Sequence, residues 1–332
     1  MADEPIDLFP HFQIQKSISI RQEDFQIELA CIPKQYINGE IRMGGVSRCF
    51  LEYGAKVWRG GHGSISKVRR IKGASTTDMC VKAPHNPQYS LCPESLFQWM
   101  AYTALEQAGI TGAVPKVYDI FQYAGEVRFS MEYIYGVSSI QKILESENHD
   151  LVFLQILVQT SILLGVLEEK LHLDHRDLKA DNLWIRPAPI DYTISIGGIK
   201  WTFHCPFQVV ILDFGFSCIG GSDGNAIISL SDGILPKVDP CPKEGRDLFQ
   251  LLTSLWSIPE IRACVSSTLS RDIEEFLSYR NISYSAVMKQ LSQPHWIYLL
   301  VSDPAFRYPP LHPLSLLRIL SIKYESLELT SG

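Results

Sequence analysis

The amino-acid sequence predicts an α+β protein with a smaller β-rich N-terminal part, called the N-lobe below, and a larger helical C-terminal part, called the C-lobe. Strand-like alternation and turn residues dominate from about residue 46 to 135, and helical patterns dominate afterwards. The 332 residues suffice for both parts together with extensions. We therefore expect an N-terminal extension over 1–45, the N-lobe over 46–133 and the C-lobe over 134–332.

Charge and cysteine usage narrow the classes of partner. The 30 basic and 36 acidic residues leave a net charge of −6, which argues against nonspecific binding to nucleic acid or to an anionic membrane. The eight cysteines are scattered without a Cys-x-x-Cys pair, a pattern that predicts reduced thiols inside a cell. Since the N-terminus is acidic and shows no secretory signal, we expect a protein of the cytoplasm or nucleus.

One apolar run, residues 151–167, approaches the length of a membrane span. It contains the polar residues Gln155, Gln159 and Thr160 and leads directly into the most polar motif of the chain. We therefore expect a helix buried in the C-lobe and no membrane partner.

The most informative motif is the run His-Arg-Asp-Leu-Lys-Ala-Asp-Asn over residues 175–182. Asp177 can accept a hydroxyl proton, Lys179 supplies a cation two residues later, and Asn182 supplies an amide oxygen five residues later. Phosphoryl transfer needs these three groups together in one compact loop.

A second motif, Asp-Phe-Gly at residues 213–215, follows the apolar strand 209–212. A carboxylate at the end of a buried strand is suited to hold a metal ion. Asp213 and Asn182 are therefore the candidate ligands for Mg²⁺.

Together these motifs resemble the catalytic loop and the metal-binding turn of the eukaryotic-type protein kinase superfamily. The connection from Asn182 to Asp213 is longer than most kinases have, and it resembles that of divergent serine/threonine kinases of large DNA viruses. The resemblance implies a two-lobed protein-kinase-like fold, ATP and Mg²⁺ as cofactors and a protein substrate with a Ser or Thr acceptor. Lys179 favours Ser/Thr over Tyr specificity, and a viral kinase would act inside an infected host cell.

The resemblance also assigns a phosphate-positioning pair upstream. Met-Cys-Val-Lys at 79–82 takes the place of the family's strand lysine, so that Lys82 would hold the α and β phosphates of ATP. The following helical stretch begins near Glu94, which would pair with Lys82. Glu106 is the alternative partner, but it falls late in the same stretch.

The implied nucleotide pocket comes from three further segments. The glycine-rich run 61–68 fits the family's pattern, except that Ser66 replaces the third glycine. Met131 stands in the place of the gatekeeper, and the backbone of Glu132 and Ile134 would recognise the adenine edge. The complete set of implied nucleotide-binding residues is Gly61, Gly63, Val68, Cys80, Lys82, Met131, Glu132, Ile134 and Trp184.

Residues 190–206 are predicted to form a hairpin insert in the C-lobe. Two segments with strand alternation flank Gly197 and Gly198, a pair that readily adopts the positive φ angles of a tight turn. Trp201 and Phe203 share a face, for which burial is the expected arrangement.

The segment 216–246 departs from the family, because it contains no Ala-Pro-Glu motif and no threonine. Arg176 would bind a phosphate or an acidic side chain from this segment, and Asp247 is suited both to cap the next helix and to anchor the catalytic loop. The serines that could carry such a phosphate are Ser217, Ser222, Ser229 and Ser231.

Two other functions remain open from the sequence. A pseudokinase scaffold would keep the fold and act by binding, but every polar group of the transfer motif is present. A small-molecule phosphotransferase of the aminoglycoside or choline kinase type shares the Asp-x-x-x-x-Asn spacing. The missing Ala-Pro-Glu motif keeps this second alternative open.

Overall fold

The computed structural model describes residues 32–59, 63–87, 89–140, 144, 147–221, 226–231, 240–278 and 311–332. The chain divides into two compact units. The first consists of residues up to 102 together with 115–135, and the second of 103–114 together with 136–332. Most of the predicted extension (1–31), Gly61 and Ser222 lie outside the described residues.

The first unit is built on a closed barrel in the strand order β1-β2-β3-β4-β5-β7-β6. Its closure depends on the parallel pairing of β1 with β6, at Lys34 and Gln122. The strands are β1 (Lys34–Gln35), β2 (Glu40–Met43), β3 (Val46–Arg59), β4 (Gly63–Lys72), β5 (Ser75–Pro84), β6 (Val117–Tyr123) and β7 (Glu126–Glu132).

Alternation along the strands fills the barrel interior with apolar side chains. On β5, Met79 and Val81 are buried in the barrel core, and Met79 pairs with Val68 of β4. Successive strand residues point to opposite faces, so Cys80, between them, and Lys82, directly after Val81, belong to the other face of β5. This alternation decides which of the predicted site residues can act together.

Helices and short sheets make up the remaining described elements. The helices are α1 (Cys92–Gln107), α2 (His149–Leu171), α3 (Arg246–Trp256), α4 (Pro259–Cys264), α5 (Ser267–Leu277) and α6 (Pro313–Lys323). The further strands are β8 (Ser138–Ser139), β9 (Leu173–Asp174), β10 (Leu183–Arg186), β11 (Ile190–Ile196), β12 (Ile199–Cys205), β13 (Gln208–Ile211), β14 (Cys218–Gly220), β15 (Ala226–Ser229) and β16 (Thr330–Ser331).

The predicted fold class, a two-lobed kinase-like fold with a helical C-lobe, is wrong. The chain forms a closed seven-stranded barrel, and among the described residues the second unit combines its helices with three three-stranded sheets. Residues 34–43, which we assigned to an extension, supply the two strands that complete the barrel. The pairing of β1 with β6 joins segments that lie far apart in the sequence, and local periodicity does not reveal it.

The apolar run 151–167 lies within α2, as predicted, and is buried. The helix has the length and composition of a membrane span, but 83% of its most apolar 18-residue window is buried inside the protein. Asn148 caps its first turn by accepting a hydrogen bond from the backbone N–H of Leu151. The helix ends at His172, whose left-handed backbone turns the chain into β9.

The hairpin predicted over 190–206 is confirmed as β11 and β12. Gly197 and Gly198 form the turn with φ angles of 59° and 73°. Trp201 and Phe203 are fully buried, and β16 pairs with the outer edge of β12. The hairpin is therefore packed into the second unit and not a free-standing projection.

Candidate active site

In the first unit, the predicted pair of Lys82 and Glu94 is present. Lys82 lies on β5 and Glu94 in the first turn of α1, and Lys82 Nζ donates to Glu94 Oε1 at 2.5 Å. Both side chains are buried, with relative exposures of 7% and 8%. A carboxylate near a helix N-terminus is also stabilised by the helix dipole. The alternative partner, Glu106, is exposed in the last turn of α1.

Glu94→Gln is expected to lower the free energy of unfolding by about 3 kcal/mol, because the buried Lys82 ammonium loses the carboxylate that offsets its desolvation. Glu52→Gln is the matched control. Glu52 accepts from Arg69 Nη2 at 2.5 Å in an exposed pair, and exposed pairs contribute about 1 kcal/mol or less. Urea unfolding of both variants measures the difference, and equally small changes would contradict a stabilising role for the buried pair.

The strand register separates the residues that were assigned to the nucleotide pocket. Cys80 shares the face of Lys82 and pairs across β7 with Met131, whereas Val68 lies in the barrel core opposite Met79. The residue of β4 opposite Cys80 is Lys67. The structure therefore does not bring Val68 together with Cys80 and Lys82, since counting along the motif placed Val68 one residue out of register.

The other predicted pocket residues have the following environments. Gly63 begins β4, where an added Cβ would lie 2.7 Å from Ala83 O, so close strand pairing already accounts for this glycine. Burial raises the pKa of the Cys80 thiol to about 11, which keeps it neutral.

Glu132 N donates to Lys116 O at 2.8 Å, and the role assigned to the backbone of Glu132 and Ile134 remains a prediction. Trp184 belongs to β10 of the second unit, where it pairs with Val210.

In the second unit, the three polar groups of the predicted catalytic loop lie together. Lys179 Nζ donates to both carboxylate oxygens of Asp177, at 3.2 and 2.9 Å. Asn182 Nδ2 donates to Asp177 Oδ2 at 3.0 Å and to Asp177 O at 2.8 Å. Asp177 is buried, and these bonds hold its carboxylate in one orientation. Since Asn182 uses its amide nitrogen here, its amide oxygen is the atom that it would offer to a cation.

Strand pairing brings the predicted metal ligands Asn182 and Asp213 next to each other. β10 pairs with β13 from Leu183 opposite Ile211, and Leu212 N donates to Asn182 O at 2.9 Å. Asp213 follows with a φ angle of 64°, in the left-handed region that Asp and Asn tolerate better than most residues. A carboxylate and an amide oxygen fit Mg²⁺, which prefers oxygen ligands.

The backbone of the catalytic loop is anchored by Asp247, as predicted. Asp247 Oδ2 accepts from His175 N at 2.6 Å and Oδ1 accepts from Arg176 N at 2.8 Å. Gln250, one turn later on α3, donates to Arg176 O at 3.0 Å. The predicted capping role is wrong, because Gly245 occupies the N-cap and no side chain caps the helix.

Arg176 contacts two of the four serines that were predicted to carry a phosphate. Its Nη1 donates to Ser229 Oγ and to Ser231 Oγ, both at 2.9 Å. Ser217 donates to His175 O at 3.3 Å, and Ser222 lies outside the described residues. Arg176 is buried, so these hydroxyls hold its side chain against the segment 226–231. A phosphate at either serine remains a prediction.

Sequence reasoning missed a cluster beside the catalytic loop. Cys218 and Cys241 form a disulfide, so the expectation of reduced thiols is wrong for this pair. Asp174 is the last residue of β9, directly before the loop, and its Oδ2 accepts from Lys243 N at 2.7 Å. Burial raises the pKa of the Asp174 carboxyl to about 7 against the opposing effect of Arg246. No signal in the sequence could pair two cysteines that are 23 residues apart.

Comparison with known proteins relates part of this chain to a viral protein described as a probable kinase. Over 179 residues, or 53% of its length, the chain is 24% identical to the protein described as "Probable kinase 098L" of Invertebrate iridescent virus 3. The match covers 33% of that protein, so the chain spans about a third of the relative's length. No protein-family model matches the chain. The match relates that part of the chain to a protein described as a probable kinase, without specifying an acceptor or a phosphate donor.

Proposed function

We propose that the chain is a protein kinase that uses ATP and Mg²⁺ to phosphorylate Ser or Thr hydroxyls of a protein substrate. The observation that carries this proposal is the arrangement of Asp177, Lys179 and Asn182, with Asp213 joined to the same loop by strand pairing. In this part of the second unit, the Asp177 carboxylate, the Lys179 ammonium group and the Asn182 amide are hydrogen-bonded together, and the candidate ligand Asp213 follows the strand paired with β10. The similarity to a protein described as a probable kinase points to the same chemistry.

Each group has a defined part in the proposed reaction. Asp177 accepts the proton of the acceptor hydroxyl. The hydroxyl oxygen forms a bond to the γ-phosphorus of ATP, and the bond from that phosphorus to the leaving ADP oxygen breaks. Lys179, hydrogen-bonded to Asp177, neutralises charge on the transferred group. Asn182 and Asp213 would hold Mg²⁺, which neutralises charge on the phosphates when bound. Lys82, positioned by Glu94, would contact the α and β phosphates.

A Ser or Thr acceptor is proposed because a lysine at position 179 resembles the catalytic loop of serine/threonine kinases. We propose an intracellular protein substrate and no nucleic-acid or membrane partner, in keeping with the net charge of −6. A small-molecule acceptor is the second candidate, because segment 216–246 has no Ala-Pro-Glu motif.

Transfer assays with the purified chain separate these functions. The chain is incubated with γ-labelled ATP, Mg²⁺ and either a mixture of generic proteins or a panel that contains choline and aminoglycosides. We expect label in phosphoserine and phosphothreonine after acid hydrolysis of the protein mixture. Label found only in the small molecules would show that the acceptor is a small molecule and not a protein. Mg²⁺-dependent ATP binding without transfer to any acceptor, including water, would indicate a scaffold.

A further inference from the structure

We propose that Cys218 and Cys241 form a reversible redox site whose disulfide holds the catalytic loop in the conformation described above. The proposal deepens the proposed kinase function, on which its activity test rests. The two cysteines are bonded to each other, and both are fully buried beside β9. β9 ends at Asp174, immediately before the loop that carries Asp177.

The first half of the disulfide belongs to the strand next to the loop. Cys218 begins β14, which pairs with β9 so that Cys218 lies opposite Asp174. On its other edge, β14 pairs with β15, and Cys218 lies opposite Ser229, one of the two serines that Arg176 contacts. Cys218 therefore pairs on one side with Asp174, two residues before Arg176, and on the other with Ser229, which Arg176 contacts.

The second half belongs to a segment that contacts the same two loop residues. Pro240, the neighbour of Cys241, accepts from Arg176 Nη2 at 3.3 Å through its carbonyl oxygen. Lys243, two residues later, donates its backbone N–H to Asp174. The disulfide thus joins β14, which pairs with Asp174, to a segment that contacts both Asp174 and Arg176. These contacts hold the residues that precede the proposed proton acceptor.

Gly220 gives independent evidence that the backbone of β14 packs directly against the segment around Cys241. A Cβ at Gly220 would lie 1.6 Å from Cys241 O and 2.4 Å from Cys241 C. A side chain of any size is therefore excluded while the segment at 240–242 lies against β14. The backbone of one segment is in direct contact with the other.

The chemistry of the cluster favours a redox pair over a metal site. The carboxylate of Asp174 and the two sulfurs lie within 4.8 Å of one another, a spacing that could suit a cation. Asp174, however, already accepts from Lys243 N and lies 3.4 Å from Arg246 Nη1. A cation would have to compete with that guanidinium.

Oxidation and reduction balance through thiol–disulfide exchange. With a low-molecular-weight disulfide such as oxidised glutathione, one S–S bond forms in the protein and one breaks in glutathione. The two protein thiols lose two electrons and two protons, and glutathione leaves as two thiols. A dithiol reverses the reaction. Disulfides inside cells are usually transient or redox-sensing, which suits the proposed compartment.

The test compares one protein sample in its two redox states. Wild-type chain is oxidised with oxidised glutathione or reduced with dithiothreitol, and intact mass verifies each state. We expect reduction to lower the rate of phosphoryl transfer about tenfold, the effect of weakening one hydrogen bond to a charged group. Re-oxidation is expected to restore the rate, a reversal that irreversible unfolding would not show.

Two variants control the comparison. The double variant Cys218→Ser, Cys241→Ser is expected to have the rate of the reduced protein in both buffers. Cys264→Ser removes a free, half-buried cysteine of α4 and is expected to keep the full redox response. Equal rates in the two states of the wild type would overturn the proposal, as would a redox response that persists in the double variant. Stoichiometric zinc in the reduced protein would assign the cysteines to a metal site instead.

Amide hydrogen exchange tests whether the disulfide holds the catalytic loop, independently of the proposed function. If neither redox state transfers phosphate, the exchange rates of residues 172–177 still show whether the disulfide stabilises this segment. Faster exchange there after reduction supports the proposal, with the hairpin 190–205 as an internal reference. Identical exchange in the two states overturns it.

Discussion

Asp213→Asn is expected to abolish phosphoryl transfer while leaving the fold intact. The substitution removes the carboxylate proposed to hold Mg²⁺, and loss of a metal contact to a charged transition state costs several kcal/mol, or roughly a thousandfold in rate. Asn is the suitable replacement because Asp213 has a φ angle of 64°, a conformation that Asn adopts readily. The backbone that joins β13 to the metal-binding turn is therefore preserved.

Transfer rate and thermal unfolding are measured together for this variant. Asp191→Asn is the matched control, since it makes the same chemical change on the exposed face of β11, where the Asp191 side chain is 71% exposed. We expect the control to retain the wild-type rate. Near-wild-type activity in folded Asp213→Asn would show that Asp213 is not a metal ligand of the reaction.

Asp247→Ala is expected to have the largest combined effect on stability and activity. Asp247 accepts from the backbone N–H groups of His175 and Arg176, and both residues are buried. Without the carboxylate, two buried donors lose their acceptor, at a cost of about 3 kcal/mol or more in the free energy of unfolding. The rate should fall as well, because Asp177 directly follows these two residues.

Asp247→Asn is the graded comparison for this position. Its amide keeps one acceptor oxygen and replaces the other by a donor, so that one of the two backbone contacts can persist. We expect its stability, measured by urea unfolding, to lie between those of the wild type and Asp247→Ala. An alanine variant as stable and as active as the wild type would show that Asp247 does not anchor the loop.

The local chemistry of the site could be predicted from the sequence. Asp177, Lys179 and Asn182 lie within six residues, so a single turn brings their side chains together whatever the rest of the fold does. The Gly197-Gly198 turn was predictable for the same reason, because two residues with positive φ angles define a tight hairpin without help from distant contacts. The Lys82–Glu94 pair followed from the family resemblance and is present in the structure.

Predictions failed where the answer depended on strand register or on distant segments. Val68 was placed in the nucleotide pocket by counting along a motif, but a shift of one residue along a strand moves a side chain to the opposite face. Asp247 was predicted both to cap the helix and to anchor the catalytic loop, and only the cap is wrong, because its oxygens accept from a loop about 70 residues earlier in the chain.

By itself, the sequence determined the groups that we propose to act in phosphoryl transfer, because these groups are set by short spacings along the chain. The tertiary structure alone decided that β1 closes a seven-stranded barrel against β6, and that Cys218 meets Cys241 beside Asp174. Such contacts join segments between about 20 and 90 residues apart. Their formation depends on loop closure and on the packing of the whole unit, which no local window of sequence contains.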